Sequence, residues 1–126
     1  MQSTRIFQTI AILAGSLAVL SGCQQTAEED TSFRGAFTYG PEVRTFQACN
    51  SDAVVWLDGD QDVLTPLEAA SMKHAATVGT PYQPIFVQIE GRYVAQATDG
   101  FAEDYERRIL ARTATVLSPD LPDGCI

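Results

Sequence analysis

Residues 34–57, RGAFTYGPEVRTFQACNSDAVVWL, decide the fold. With the preceding residue included, Phe33, Gly35, Phe37 and Tyr39 fall on one side of an extended chain, and Arg34, Ala36 and Thr38 on the other. Successive strand side chains point to opposite faces, so this spacing makes one heavily apolar face. Gly40 and Pro41 interrupt it. Proline has no N–H to give a ladder and glycine tolerates positive φ, so a turn or sheet corner is expected there. Val43, Thr45 and Gln47 then alternate against Arg44, Phe46 and Ala48. Cys49, Asn50, Ser51 and Asp52 form a second turn, rich in residues that bond their own backbone. Ala53 to Leu57 is almost continuously apolar, the pattern of a strand buried on much of both faces. Three strands of a small β-barrel are therefore expected in this stretch.

Downstream, Asp58, Asp60 and Asp62 punctuate the exit from the third strand. Thr65 reads as an N-cap, with Pro66 at the first helical position and Glu68 completing a capping box. Leu67, Ala70, Ser71, His74 and Val78 share one stripe at helical spacing, and Gly79 is a natural stop. A helix over 66–77 follows. After Pro84, Ile85, Val87 and Ile89 alternate with Phe86, Gln88 and Glu90. Glu90, Gly91 and Arg92 read as a turn, from which Tyr93 to Ala97 return as a strand. Residues 98–104 are polar and looped. Residues 106–117 fit helix or strand in their first half, and the β-branched TATVL end favours a strand. A Pro/Gly-rich tail closes the chain. The fold class this implies is mainly β: a small OB-like Greek-key barrel with one helix, over residues 33–126.

The 126-residue chain is long enough for one domain. Its first 22 residues read as a secretory signal: Arg5, an apolar run from Ile6 to Leu20, then Ser21 and Gly22 before Cys23. The run is shorter than the roughly 20 clean apolar residues of a membrane span. Leu20-Ser21-Gly22-Cys23 resembles the lipobox of bacterial lipoproteins. The resemblance implies cleavage before Cys23 and lipid, palmitate included, on the new terminus. The alternative is an ordinary signal followed by a buried cysteine. Gln24, rather than Asp, implies the outer membrane, with the protein on its periplasmic face. Residues 23–32 then form the lipidated cysteine and a flexible polar tether.

Removing Arg5 leaves seven basic against sixteen acidic residues, a formal charge of −9. That balance argues against nucleic acid and against polybasic binding to lipid surfaces. Cys49 and Cys125 remain after Cys23 is set aside. In an oxidising compartment the two are expected to pair, closing a loop whose entropy is worth about 4 kcal/mol in the idealised case. Two thiolates with no nearby His or third Cys make a poor closed zinc site.

AFTYGPEVRTFQAC, a short strand, a helix, PYQPIFVQIEGRYV and a late cysteine together resemble the C-terminal OB-fold domain of NlpE-type envelope lipoproteins. The shared features are Phe37-Thr38-Tyr39, Phe46 three positions before Cys49, a Pro-led strand ending in Glu90-Gly91, and Cys125. They cover about residues 33–126. The family bridges its two matching cysteines. The family's N-terminal barrel with a Cys-x-x-Cys motif has no counterpart here, so the resemblance by itself does not imply copper binding or stress signalling by the family's route.

Several side-chain sets invite chemistry. Asp58, Asp60 and Asp62 resemble the opening of a calcium loop, but Val63 and Ala69 stand where Gly and Glu are needed. The alternative is an acidic turn that suits a helix N-terminus. Met72 and His74 both suit copper, yet residues two apart on a helix do not face each other. Asp99, Glu103, Asp104 and Glu106 could supply a carboxylate pair or simply a solvated loop, and 98–104 is the one stretch an enzyme inhibitor could protrude. Tyr39, Tyr82 and Tyr93 are the aromatics best placed to expose polar edges on a binding face. The sequence thus predicts a non-enzymatic envelope lipoprotein that needs no cofactor. It would be anchored through its lipid and bind an envelope protein or small ligand, with a part in stress sensing; metal binding is the alternative.

Overall fold

The structure, a computed structural model, describes Gly22 and residues 29–126. Cys23, most of its tether and residues 1–21 of the signal segment lie outside the described residues. Five strands and one long helix follow in the order β1 (Thr31–Gly40), β2 (Val43–Ala48), β3 (Val54–Gly59), α1 (Gln61–Val78), β4 (Ile85–Val94) and β5 (Arg108–Ser118). The strands close a barrel-like ring, β1-β2-β3-β5-β4, with β4 pairing back onto β1. Every pairing is antiparallel except β3 with β5. This is the mainly β, OB-like arrangement expected from the alternation of short strands around one helix. The bridge between Cys49 and Cys125 is present, tying the turn after β2 to the tail. The turn's Asn50 N–H also donates to the Cys125 carbonyl at 2.8 Å.

The core shows why the pattern was readable. Phe37, Phe46, Leu57, Ile85, Val87, Ile89 and Ile109 line the ring's interior, each at most 1% exposed. Leu64 and Leu67 enter from α1 and plug one opening. Ser71, fully buried on the same helix, accepts from the Tyr39 N–H and donates to the Gln83 carbonyl, both at 3.2 Å. The β1–β4 register ends at Phe37 opposite Ile85, so the helix hydroxyl satisfies a backbone donor that the sheet leaves over.

Two local expectations are corrected. Helix α1 begins at Gln61, with Asp60 at the cap position, rather than at Thr65 and Pro66. Pro66 therefore sits inside the helix and removes one backbone hydrogen bond. Leu64, buried against the ring, draws the extra turn into helical form and offsets that loss. Thr65 caps nothing; its hydroxyl accepts from Gln61 Nε2 at 2.8 Å. At the other end Gly79 takes the left-handed conformation expected of it, φ 82°. Val78, placed on the buried stripe, is exposed.

The second correction concerns Glu90, Gly91 and Arg92, which do not turn the chain. β4 runs through them as one strand, so the ring has five strands rather than six. The register with β5 slips between Glu90 and Gly91, which marks a bulge. A bulge lets one long strand bend while it pairs with β1 on one edge and β5 on the other. Glycine is needed because a Cβ at this position would lie 2.2 Å from the Leu110 carbonyl oxygen. That oxygen belongs to β5 backbone and cannot swing aside. Gly91→Ala is expected to lower stability by at least about 2 kcal/mol, read as a lower urea midpoint with an unchanged slope.

Candidate functional site

Arg44 on β2, Trp56 and Asp58 on β3, and Arg108 on β5 form one connected group. Trp56 and Asp58 are two apart on a strand and so share a face. Thr45 pairs with Trp56, and Arg44, one residue nearer the β1–β2 turn, sends its long side chain past the Leu57 carbonyl to Asp58. Asp58 Oδ1 accepts from Arg44 Nη2 at 2.7 Å and from the Trp56 indole N–H at 2.9 Å. Its Oδ2 accepts from Arg108 Nη1 at 2.7 Å. Arg44 Nε donates to the Leu57 carbonyl, and its guanidinium lies 5.1 Å from the Trp56 ring. Glu68 on α1 stands 3.7 Å from Arg44 Nη1. Arg108 Nε is anchored on the Ala95 carbonyl. Tyr105 packs against the indole, ring centres 5.6 Å apart.

Above this group opens a cleft of about 370 Å³. Tyr39, Gly40, Pro41, Glu42 and Val43 supply one wall, Arg44 and Trp56 the floor, and Met72 and Phe101 the other side. It lies between the β1–β2 turn and the β4–β5 loop, over the β2–β3 face. OB-type barrels commonly take ligands on this face and between these loops, though the fold alone does not say which ligand. The β1–β2 turn is held in shape by Tyr82. Its hydroxyl donates to the Pro41 carbonyl at 3.1 Å, and its ring fills the space a Cβ on Gly40 would need. On the opposite side, Gly100 at φ 68° starts a single 3-10 turn, Phe101–Asp104, that presents Phe101 half exposed.

The structure sorts the residues singled out from sequence. Tyr39 lines the cleft and Tyr82 buttresses it, but Tyr93 stands elsewhere. Tyr93 packs edge-on to Phe33 and lies under the Arg107 guanidinium at 3.8 Å. Asp58, Asp60 and Asp62 do not converge. Asp58 has both oxygens committed to cationic and indole donors, while Asp60 and Asp62 are exposed at the start of α1. Among the described residues no three His, Cys, Asp or Glu side chains gather with metal-binding geometry. Met72 and His74 lie on different faces of α1: Met72 borders the cleft above, whereas His74 lines a separate groove with Lys73, Ile85, Val116 and Asp120. Asp99, Glu103, Asp104 and Glu106 are exposed on the β4–β5 loop.

Sequence reasoning missed Arg44, Trp56, Met72 and Phe101 as cleft residues. The signal was partly there: a charged residue at a strand position opposite a Trp-x-Asp strand invites a cross-strand network. Grouping Asp58 with Asp60 and Asp62, as an acidic turn or the opening of a calcium loop, hid it. Just before β1 begins, Asp30 joins Arg112 on β5 and Arg92 on β4. Hydrogen bonding and charge from Asp30, helped by Glu90, hold the exposed Arg112 guanidinium above its usual pKa.

Compared with known proteins, the chain matches no family model, no curated protein and no solved structure.

Replacing Asp58 by Ala strands two guanidinium groups and an indole N–H. All are only partly exposed, so the cost falls between that of a surface and a buried pair, about 2 kcal/mol. A thermal midpoint lower by about 10 °C is the expected reading. The same scan with millimolar Ca(II) on the unaltered protein is expected to leave the midpoint in place.

Proposed function

We propose that this protein is a membrane-tethered, non-enzymatic binding module of the bacterial envelope, in the manner of the NlpE-type lipoproteins it resembles. The observation that carries the reading is the cleft bounded by Tyr39, Pro41, Met72 and Phe101 over Arg44 and Trp56. Its apolar walls offer contact area, and the pinned guanidinium at its floor offers orientation, which is the composition of a recognition site. Met72 and Phe101 are more than half exposed and both border the cleft. Of the tether expected over 23–32, Thr31 and Ser32 are instead the first residues of β1, and Asp30 is held by Arg92 and Arg112.

Two experiments test the reading. For the anchor, Cys23→Ser is expected to abolish palmitate labelling and to move the protein from the membrane pellet to the soluble fraction. Retention of label in that variant contradicts lipidation at Cys23. For the cleft, a photo-reactive phenylalanine analogue is placed at Phe101 or Met72 in living cells, with Leu117 on the outer face of β5 as control. Discrete adducts at the two cleft positions, absent at Leu117 and unaffected by chelator, are expected. Equal adducts at all three positions, or none at any, contradict a binding role for the cleft.

A further inference from the structure

Among the described residues, the non-glycine residues at positive φ are Glu42, Asn50 and Tyr82, at 63°, 62° and 59°. Asparagine tolerates that conformation; a glutamate does so less readily, and a bulky tyrosine is an outlier there. The two strained residues belong to segments that touch. Gly40 pairs with Val43, so Pro41 and Glu42 make a two-residue loop between β1 and β2. Proline fixes its own φ at about −65°. Positive φ at the next residue then makes a type II turn, which favours glycine where Glu42 stands. Type II turns also match the twist of a hairpin poorly. Both features weaken the turn's own hold on its shape. Tyr82 holds it from outside, with its ring over Gly40 and its hydroxyl on the Pro41 carbonyl. Its own loop is firmly based: the Gln83 carbonyl accepts from the buried Ser71, and Pro81 and Pro84 stiffen both flanks.

We propose that Tyr82 is a latch, and the β1–β2 turn the gate it holds, on the cleft over Trp56. The proposal rests on the binding role assigned to the cleft above and names how that site is controlled. The turn has two arrangements. In the latched one, Gly40, Pro41, Glu42 and Val43 wall the cleft. In the released one, the Tyr82 ring leaves Gly40 and both strained residues return to negative φ. The latch is held by a ring contact and one hydrogen bond, at a side chain 44% exposed. It is opposed by strain at two backbone positions. A surface hydrogen bond and a strained φ are of similar size, so the two arrangements lie close in free energy, as a gate requires. The floor does not follow the gate, because Arg44 and Trp56 are both fixed on Asp58. Trp56 is only 8% exposed although it floors an open cleft, and release removes part of its cover. An occupant that touches the wall selects the latched form, so its apparent affinity falls with the latched fraction.

Tyr82→Ala removes the latch. Gly40→Ala pushes it off from the other side, since a Cβ there would lie 2.4 Å from the Tyr82 ring. Two readings are taken on the full-length protein in detergent micelles: hydrogen exchange of the Val43 amide, and acrylamide quenching of Trp56, the only tryptophan in the chain. Each change is expected to raise both readings by about threefold, and the double variant no further, because both break one contact. Glu42→Gly lets the type II turn hold itself and is expected to return Tyr82→Ala toward the parent. Urea midpoints check that every variant is folded.

Unchanged exchange and quenching in both single variants overturn the latch. So do additive effects in the double variant, or an effect of Tyr82→Ala that Glu42→Gly leaves in place. The photo-reactive analogue at Met72 separates the latch from the binding role. Adducts that weaken in Tyr82→Ala and return with Glu42→Gly support the gate, and adducts as strong in Tyr82→Ala as in the parent overturn it. If the parent itself gives no adducts, the binding role fails, and exchange and quenching alone decide the latch.

Discussion

Asp58 holds the seam at which the ring closes. Among the described residues β3 and β5 are the parallel neighbours, and their register extends over four residue pairs, Trp56 with Arg108 to Gly59 with Ala111. Parallel ladders are somewhat weaker per residue than antiparallel ones, so a seam this short benefits from side-chain reinforcement. Asp58 supplies it by reaching Arg44 on β2 and Arg108 on β5 from its own place on β3. Ring closure leaves the sheet without a long exposed edge, and with it without an obvious site for uncontrolled strand addition. The cleft inherits its floor from the same contacts, because Arg44 and Trp56 are placed by the carboxylate they both touch.

This arrangement gives each loop a separate task. The β1–β2 turn gives Pro41 and Glu42 to the cleft, and the β4–β5 loop gives it Phe101. The turn after β2 is the structural one, joined to the tail by the disulfide and by the Asn50 amide. Helix α1 fills the barrel with Leu64 and Leu67 and, through Ser71, stitches the end of β1 to the entry of β4. Arg44 and Trp56 serve both the seam and the cleft floor, whereas the exposed Phe101 and Met72 lie outside the buried core.

Much of the fold was legible because burial imposes period two on a strand. Phe33, Phe37 and Tyr39 announced β1, and AVVWL announced β3, since each is what a strand packed against a core must contain. The turn at Asn50 was legible because its residues bond their own backbone, and the stop at Gly79 because a left-handed cap favours glycine; the two adopt φ 62° and 82°. The start of α1 was not legible. Local cap chemistry pointed to Thr65, but the burial of Leu64, a tertiary effect, outweighed it. Gly91 was misread for a related reason: a glycine that permits a turn and one that permits close approach of another strand look the same in sequence. Of the candidate site, Tyr39 and Tyr82 were visible as aromatics. The Asp58 network was hidden because its members come from three strands whose neighbourhood only the closed ring creates.

The most direct test of the account is native-state hydrogen exchange at the seam in the oxidised protein. If closure through Asp58 holds the ring together, the core amides of Leu57 and Ile109 exchange only with global unfolding, at the same free energy as those of β1 and β4. Exchange at Leu57 and Ile109 through a much smaller opening, with β1 and β4 still protected, would show that the ring opens at β3–β5 and that Asp58 is not what keeps it closed.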